Sequence, residues 1–166
     1  MSFDEIAQQL QQAFTDVAFE LPDTKALQPA LTLPPHALPL VAAYLHDTQG
    51  LYFDFLSCLT ALDNGSQKNS LEVLYHLYSI PYHHQFVLRV LLPRNAPDAA
   101  LPSVPTVSTV WRSALWHERE AYDLVGIHFE NHPDLRRILL PEDWEGHPLR
   151  KDYQHQDYYH GIRVAY

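Results

Sequence analysis

Eleven histidines among 166 residues make metal chemistry the first possibility to weigh. His117-Glu118 opens like a zinc-hydrolase helix, but the position needed for the second histidine holds Ala121. His128 and His132 stand four apart, a ligand spacing on a helix, yet Asn131-His132-Pro133 argues against a helix continuing there. His83-His84 reads as part of a turn, and His155 and His160 lie near the end. Spacing completes no ligand set, so exposed polar histidines are the expectation. Ser57 and Ser79 lack the Gly-x-Ser-x-Gly elbow of a hydrolase nucleophile, and five scattered glycines form no phosphate loop.

Glu118 raises a separate question, because it falls on the apolar stripe of its helix. A carboxylate carried into a core is costly unless paired and hydrogen-bonded. Three readings stand open: an ordinary pair at the edge of the core, a clamp to Arg136 or Arg137, or acid–base work with Glu120. The clamp implies that removing Glu118 costs about 3–5 kcal/mol by stranding an arginine.

The elements that must position these residues follow from periodicity. Ser2 and Glu5 suit a capping box, and Ile6, Leu10, Ala13 and Phe14 recur at helical spacing, predicting a first helix over 3–14. Leu38, Val41, Ala42 and Leu45 predict a second helix within 35–47. Alternation at Leu51, Phe53 and Phe55, then Leu71 to Leu77, then Phe86 to Leu92 predicts three strands, with a turn at Asp63-Asn64-Gly65-Ser66 and a break at Ile80-Pro81. Pro93–Pro105 reads as a surface connection. Val107, Val110, Trp111, Ala114, Leu115, Glu118, Ala121, Tyr122 and Val125 share one stripe of a third helix, started by Thr106 or Ser108 and ended by Gly126. The expected fold is α+β: an antiparallel β-meander packed by about three helices (residues 1–126), followed by an extended C-terminal arm (residues 127–166). Such an arm reaches on the order of 130 Å.

Composition narrows the function. The formal net charge of −9 opposes nucleic-acid binding and docking on anionic lipid. A single cysteine, Cys58, forms neither an internal disulfide nor a four-cysteine cluster site. No apolar run approaches the roughly 20 residues that span a bilayer, and the first residues lack a signal peptide's basic start and apolar segment, so a cytoplasmic chain is expected. Asp143-Trp144-Glu145-Gly146-His147-Pro148, followed by Leu149-Arg150-Lys151-Asp152-Tyr153, carries the Trp, Arg and Tyr enriched at interface hot spots. A local fold-back of Trp144 and contact with a partner are both compatible with it.

These residues carry a resemblance. Glu118-Arg119-Glu120, two residues, Asp123-Leu124-Val125, six residues, His132, three residues, then Arg136 with Ile138-Leu139 is similar to the signature of one subunit family of proton-pumping NADH–quinone oxidoreductases, complex I. That family is the thirty-kilodalton, or C-type, subunit. Gly146 to Tyr153 resembles the family's second block. The resemblance covers about a quarter of the chain, and Gln154–Tyr166 departs from the Pro-Leu-Thr-Gly-like turn of many members. It implies a hydrophilic-arm subunit without an active site or cofactor of its own, with FMN, iron–sulfur clusters and quinone on partner subunits. It implies docking on the forty-nine-kilodalton (D-type) chain near the quinone site, on the cytoplasmic side of a bacterial plasma membrane and without membrane insertion. Glu118, Arg119, Glu120, Asp123, His132, Arg136, Arg137, Trp144, Pro148, Leu149, Arg150, Lys151, Asp152 and Tyr153 become the expected clamp and interface. Membrane-bound hydrogenases and formate hydrogenlyases use related scaffold subunits, the nearest alternative; a free-standing histidine-dependent metalloenzyme is the distant one.

Overall fold

The computed structural model describes residues 1–22, 28–96 and 99–164. Helix α1 (Phe3–Ala13) starts as expected. Ser2 Oγ accepts from the Glu5 N–H, and the Glu5 carboxylate accepts from the Ser2 N–H. A short 3₁₀ turn (Pro35–Ala37) leads into α2 (Leu38–Asp47), with Pro39 in the first turn, where its missing N–H costs no helical bond.

Strands β2 (Phe55–Asp63), β3 (Ser70–Ser79) and β4 (His84–Pro93) form the expected antiparallel meander. Strand β1 (Leu31–Thr32) adds to β4 in parallel, giving the order β1-β4-β3-β2. Leu71, Val73, Tyr75 and Leu77 of β3 are buried and meet the apolar sides of all three helices in one core. The first meander strand starts later than alternation suggests. Leu51 and Phe53 are buried in the link after α2, where the Phe53 N–H is spent on the Leu45 carbonyl at 2.9 Å.

The segment expected to be only a surface connection contains β5 (Ser103–Pro105), paired in parallel with β6 (His128–Glu130). Residues 97–98 of that segment lie outside the described residues. Helix α3 (Ala114–Val125) starts well after Thr106 and Ser108. The Thr106 hydroxyl is committed to Glu118 and Ser108, so it caps no helix. Gly126 ends the helix in the left-handed region, φ 74°, its N–H donating to the Ala121 and Tyr122 carbonyls.

The body does not stop at Gly126, because Ile127 and Phe129 are core residues and β6 is a body strand. Beyond Asn131 the chain lacks long regular elements but turns back across α3. In the tail, β7 (Tyr158–Tyr159) and β8 (Ile162–Arg163) make a small hairpin; residues 165–166 lie outside the described residues.

Candidate functional site

Helix α3 buries two carboxylates, Glu118 and Asp123, each with no solvent exposure. They lie five residues apart and are satisfied in different ways. Asp123 is the anchor of the arm. Its Oδ1 accepts from Arg137 Nη1 at 2.7 Å, and its Oδ2 accepts from three successive backbone N–H groups, Ile138, Leu139 and Leu140, at 2.8–3.0 Å. Burial alone would raise its pKa. The amides and the guanidinium outweigh that and hold the carboxyl below its ordinary value. Arg137 is used at every side: Nη1 also reaches the Asp123 carbonyl, and Nη2 donates to the Trp144 and Gly146 carbonyls at 2.9 and 3.0 Å.

The expected ion pair between Glu118 and Arg136 or Arg137 does not form. Arg137 belongs to Asp123, and Arg136 is exposed beside Asp134. Glu118 Oε1 instead accepts from the Val107 N–H at 2.8 Å, while Oε2 meets the Thr106 hydroxyl and lies 3.9 Å from His132 Nε2. His132 Nδ1 accepts from the Asp134 N–H at 3.0 Å, leaving Nε2–H to donate to the Leu115 carbonyl at 3.1 Å. Those two bonds define the neutral tautomer, and desolvation lowers the pKa of this ring. Arg119 grips the arm without a strong ion pair: Nε and Nη2 donate to the Arg136 and Arg137 carbonyls, both at 3.0 Å. Glu120 is exposed.

The second half of the arm closes over the end of α3. The His147 ring donates to the Asp123 carbonyl at 2.9 Å, and the Leu149 N–H donates to the Leu124 carbonyl at the same distance. Arg150 donates to the Val125 carbonyl, and to the Gly126 carbonyl and Asn95 Oδ1 at 3.0 Å, filling the open carbonyls at the helix end. Arg150→Ala is expected to lower stability by about 2 kcal/mol in chemical denaturation, because it strands partly buried acceptors. Lysine should recover little of this, since its point charge cannot fork between carbonyls. Trp144 folds back locally: its Nε1–H donates to Tyr153 Oη at 3.1 Å. Pro148 is half-buried, and Leu149 and Lys151 are exposed.

Two residues that the sequence marks only as a turn and a helix end have a second, positioning role. Asp63 at the β2–β3 turn accepts from the Gly65 and Lys151 N–H groups, both at 2.8 Å, and from Arg94 at 3.0 Å; Arg94 in turn meets Asp152 at 2.6 Å. Asp-Asn-Gly signals a turn, and nothing local reveals that its carboxylate also receives a backbone group from residue 151. Gly126 has a second role besides ending the helix. A Cβ there would lie 2.4 Å from His147 Cδ2. Gly126→Ala therefore combines a left-handed backbone with displacement of the His147 ring. An expected loss of about 2 kcal/mol follows, readable as a lowered thermal midpoint.

Among the described residues, no group of three or more His, Cys, Asp or Glu side chains is placed to hold a metal ion. No helix in the described residues is long and apolar enough to cross a membrane. Residues 31–159 match the family described as "Respiratory-chain NADH dehydrogenase, 30 Kd subunit". The chain belongs to this family. Within the family, the NADH-quinone oxidoreductase C-type subunit of Moorella thermoacetica is 39% identical over 92% of this chain and 96% of its own. The corresponding proteins of Chloroherpeton thalassium and Geobacter sulfurreducens are 40% and 51% identical, over 95% and 63% of this chain. The chain spans 63% and 62% of the length of those two relatives. The fold is shared with a chain in the "membrane-bound sulfane sulfur reductase (MBS), an archaeal respiratory membrane complex". There the TM-score is 0.71 at 21% identity, covering 91% of this chain and 85% of that one. The stretch that matches the respiratory-chain family includes α3 and most of the returning arm described above.

Proposed function

We propose that this chain is a cofactor-free structural subunit of the hydrophilic arm of a proton-pumping NADH–quinone oxidoreductase. In this reading it docks on the forty-nine-kilodalton (D-type) quinone-site chain, and partner subunits hold FMN, iron–sulfur clusters and quinone. Its place is the cytoplasmic side of a bacterial plasma membrane, held there through partners. The family match over residues 31–159 carries the reading. The surface around the clamp supports it: Trp116, Leu139 and Leu149 are each more than half exposed beside residues that are tightly fixed. Arg119 lies 5.4 Å from the centre of the Trp116 ring, adding a rigid aromatic–arginine pair to that surface. Such a subunit acts on electron transfer through geometry, by fixing where its neighbour sits.

The test is purification of the tagged chain from native membranes after mild detergent extraction. Co-purification of a quinone-site chain and iron–sulfur subunits is expected, and recovery of the chain alone would overturn the proposal. Deleting the arm after Pro141 should reduce recovered complex before it changes any redox potential. An intact complex with the arm deleted contradicts the assembly role. A second reading is a scaffold in another complex I relative such as a membrane-bound hydrogenase, with which a fold shared with a chain of an archaeal respiratory membrane complex is compatible; co-purifying hydrogenase rather than NADH-oxidising subunits would support it.

A further inference from the structure

The buried cluster around Glu118 has a use beyond holding the fold, because it joins three separate pieces of chain. Glu118 sits on α3, Thr106, Val107 and Ser108 on the loop after β5, and His132 at the root of the arm. From the sheet, Tyr75 of β3 brings a fully buried hydroxyl with no hydrogen-bond partner among the described residues, whose ionisation is opposed by burial and by Glu118. Among the described residues, Tyr75 and His132 are the titratable groups facing Glu118. Arg119 and Asp134 lie beyond His132 and press on its ring with opposite signs.

The hydroxyls provide a proton inventory. Thr106 Oγ1 accepts from the Ser108 N–H at 3.1 Å and touches both Glu118 Oε2 and, at 2.8 Å, Ser108 Oγ. With Glu118 protonated, donation runs from Glu118 to Thr106 to Ser108. With Glu118 ionised, it reverses, from Ser108 to Thr106 to Glu118. The two states differ by the one proton on Glu118; each hydroxyl keeps its own proton and rotates it toward the other neighbour. The ionised state places a charge among neutral groups. Among the described residues, the nearby group able to become its counter-cation is His132, and it does so only by protonating Nδ1. That nitrogen already accepts the Asp134 N–H, so a proton there turns the contact into donor against donor.

We propose that Glu118 is a proton-operated latch: protonated, it locks α3 to the 106–108 loop, with the root of the arm packed against that junction; ionised, it releases the junction while the sheet stays folded. The inference concerns contacts within this chain and stands whichever partner the arm meets.

The experiment is amide hydrogen exchange followed by NMR on the full chain between pH 5 and 7, corrected for intrinsic exchange rates. The Val107 amide reports the latch directly, because Glu118 accepts it, and the Asp134 amide, accepted by His132, reports the root of the arm beside it. Paired amides of β3 report global unfolding. Protection at Val107 and Asp134 should fall more than tenfold as pH rises, with β3 protection changing far less, and Glu118→Gln should abolish the fall. Equal pH dependence at β3 would overturn the proposal, as would an unchanged response in the glutamine variant. The wild-type carboxyl carbon of Glu118 gives an independent check should that variant fold poorly. Titration near neutrality supports the latch, and titration in the ordinary carboxylate range ends it.

Discussion

Asp123→Ala is expected to remove about 3–5 kcal/mol of stability. The side chain has no solvent exposure, and its two oxygens satisfy one guanidinium and three backbone N–H groups. Alanine leaves Arg137 without its counter-charge and three donors without their acceptor, and these penalties fall on one short stretch of chain. Asparagine should not rescue it, because its NH₂ must face either the guanidinium or the amides, donor against donor. Guanidinium denaturation at pH 7 checks the size of the effect, and a loss below about 1 kcal/mol would refute the anchor role. Because the folded pKa is depressed, this stability is present at neutral pH. It is lost as pH falls below the ordinary value of 3.8.

Glu118 should respond to pH in the opposite sense. Desolvation, against the Thr106 and Val107 hydrogen bonds, pushes its pKa up to about 7. The folded state then holds a proton that the unfolded chain releases near 4.5. The contribution is complete below about 4.5 and is lost as pH rises through about 7. At about 1.4 kcal/mol per pKa unit it amounts to roughly 3 kcal/mol. Glu118→Gln should match the wild type near pH 4.5 and be more stable by about that amount at pH 8. The difference between the two proteins isolates Glu118 from His76, His132 and His147. Burial depresses the pKa values of those rings, so their contribution to stability grows with rising pH. A constant difference across the range would show that Glu118 carries the same charge in both states.

Local signals were legible in the sequence, and distant partners were not. The Ser2–Glu5 capping box and the Gly126 terminus are written within four or five residues, and both are realised. The meander follows from alternation and turn residues. The parallel pairs of β1 with β4 and β5 with β6 involve two or three residues each, too short for a period. The stripe of α3 correctly carries Glu118 into the core, but spacing does not say which cation reaches it. Two arginines stand side by side, and the backbone path of the arm gives Arg137 to Asp123 and turns Arg136 outward. Asp63 is the converse case, a turn residue by type whose second task is visible only once residue 151 returns beside it.

The grip of Asp123 on residues 138–140 is made through main-chain N–H groups alone, so it is indifferent to the side chains those residues bear. Any L-residue other than proline offers the same donor. The fastening of the arm is thereby uncoupled from the chemistry the arm displays. Leu139 can be exchanged to suit a different neighbouring surface while the strap beneath it keeps its course.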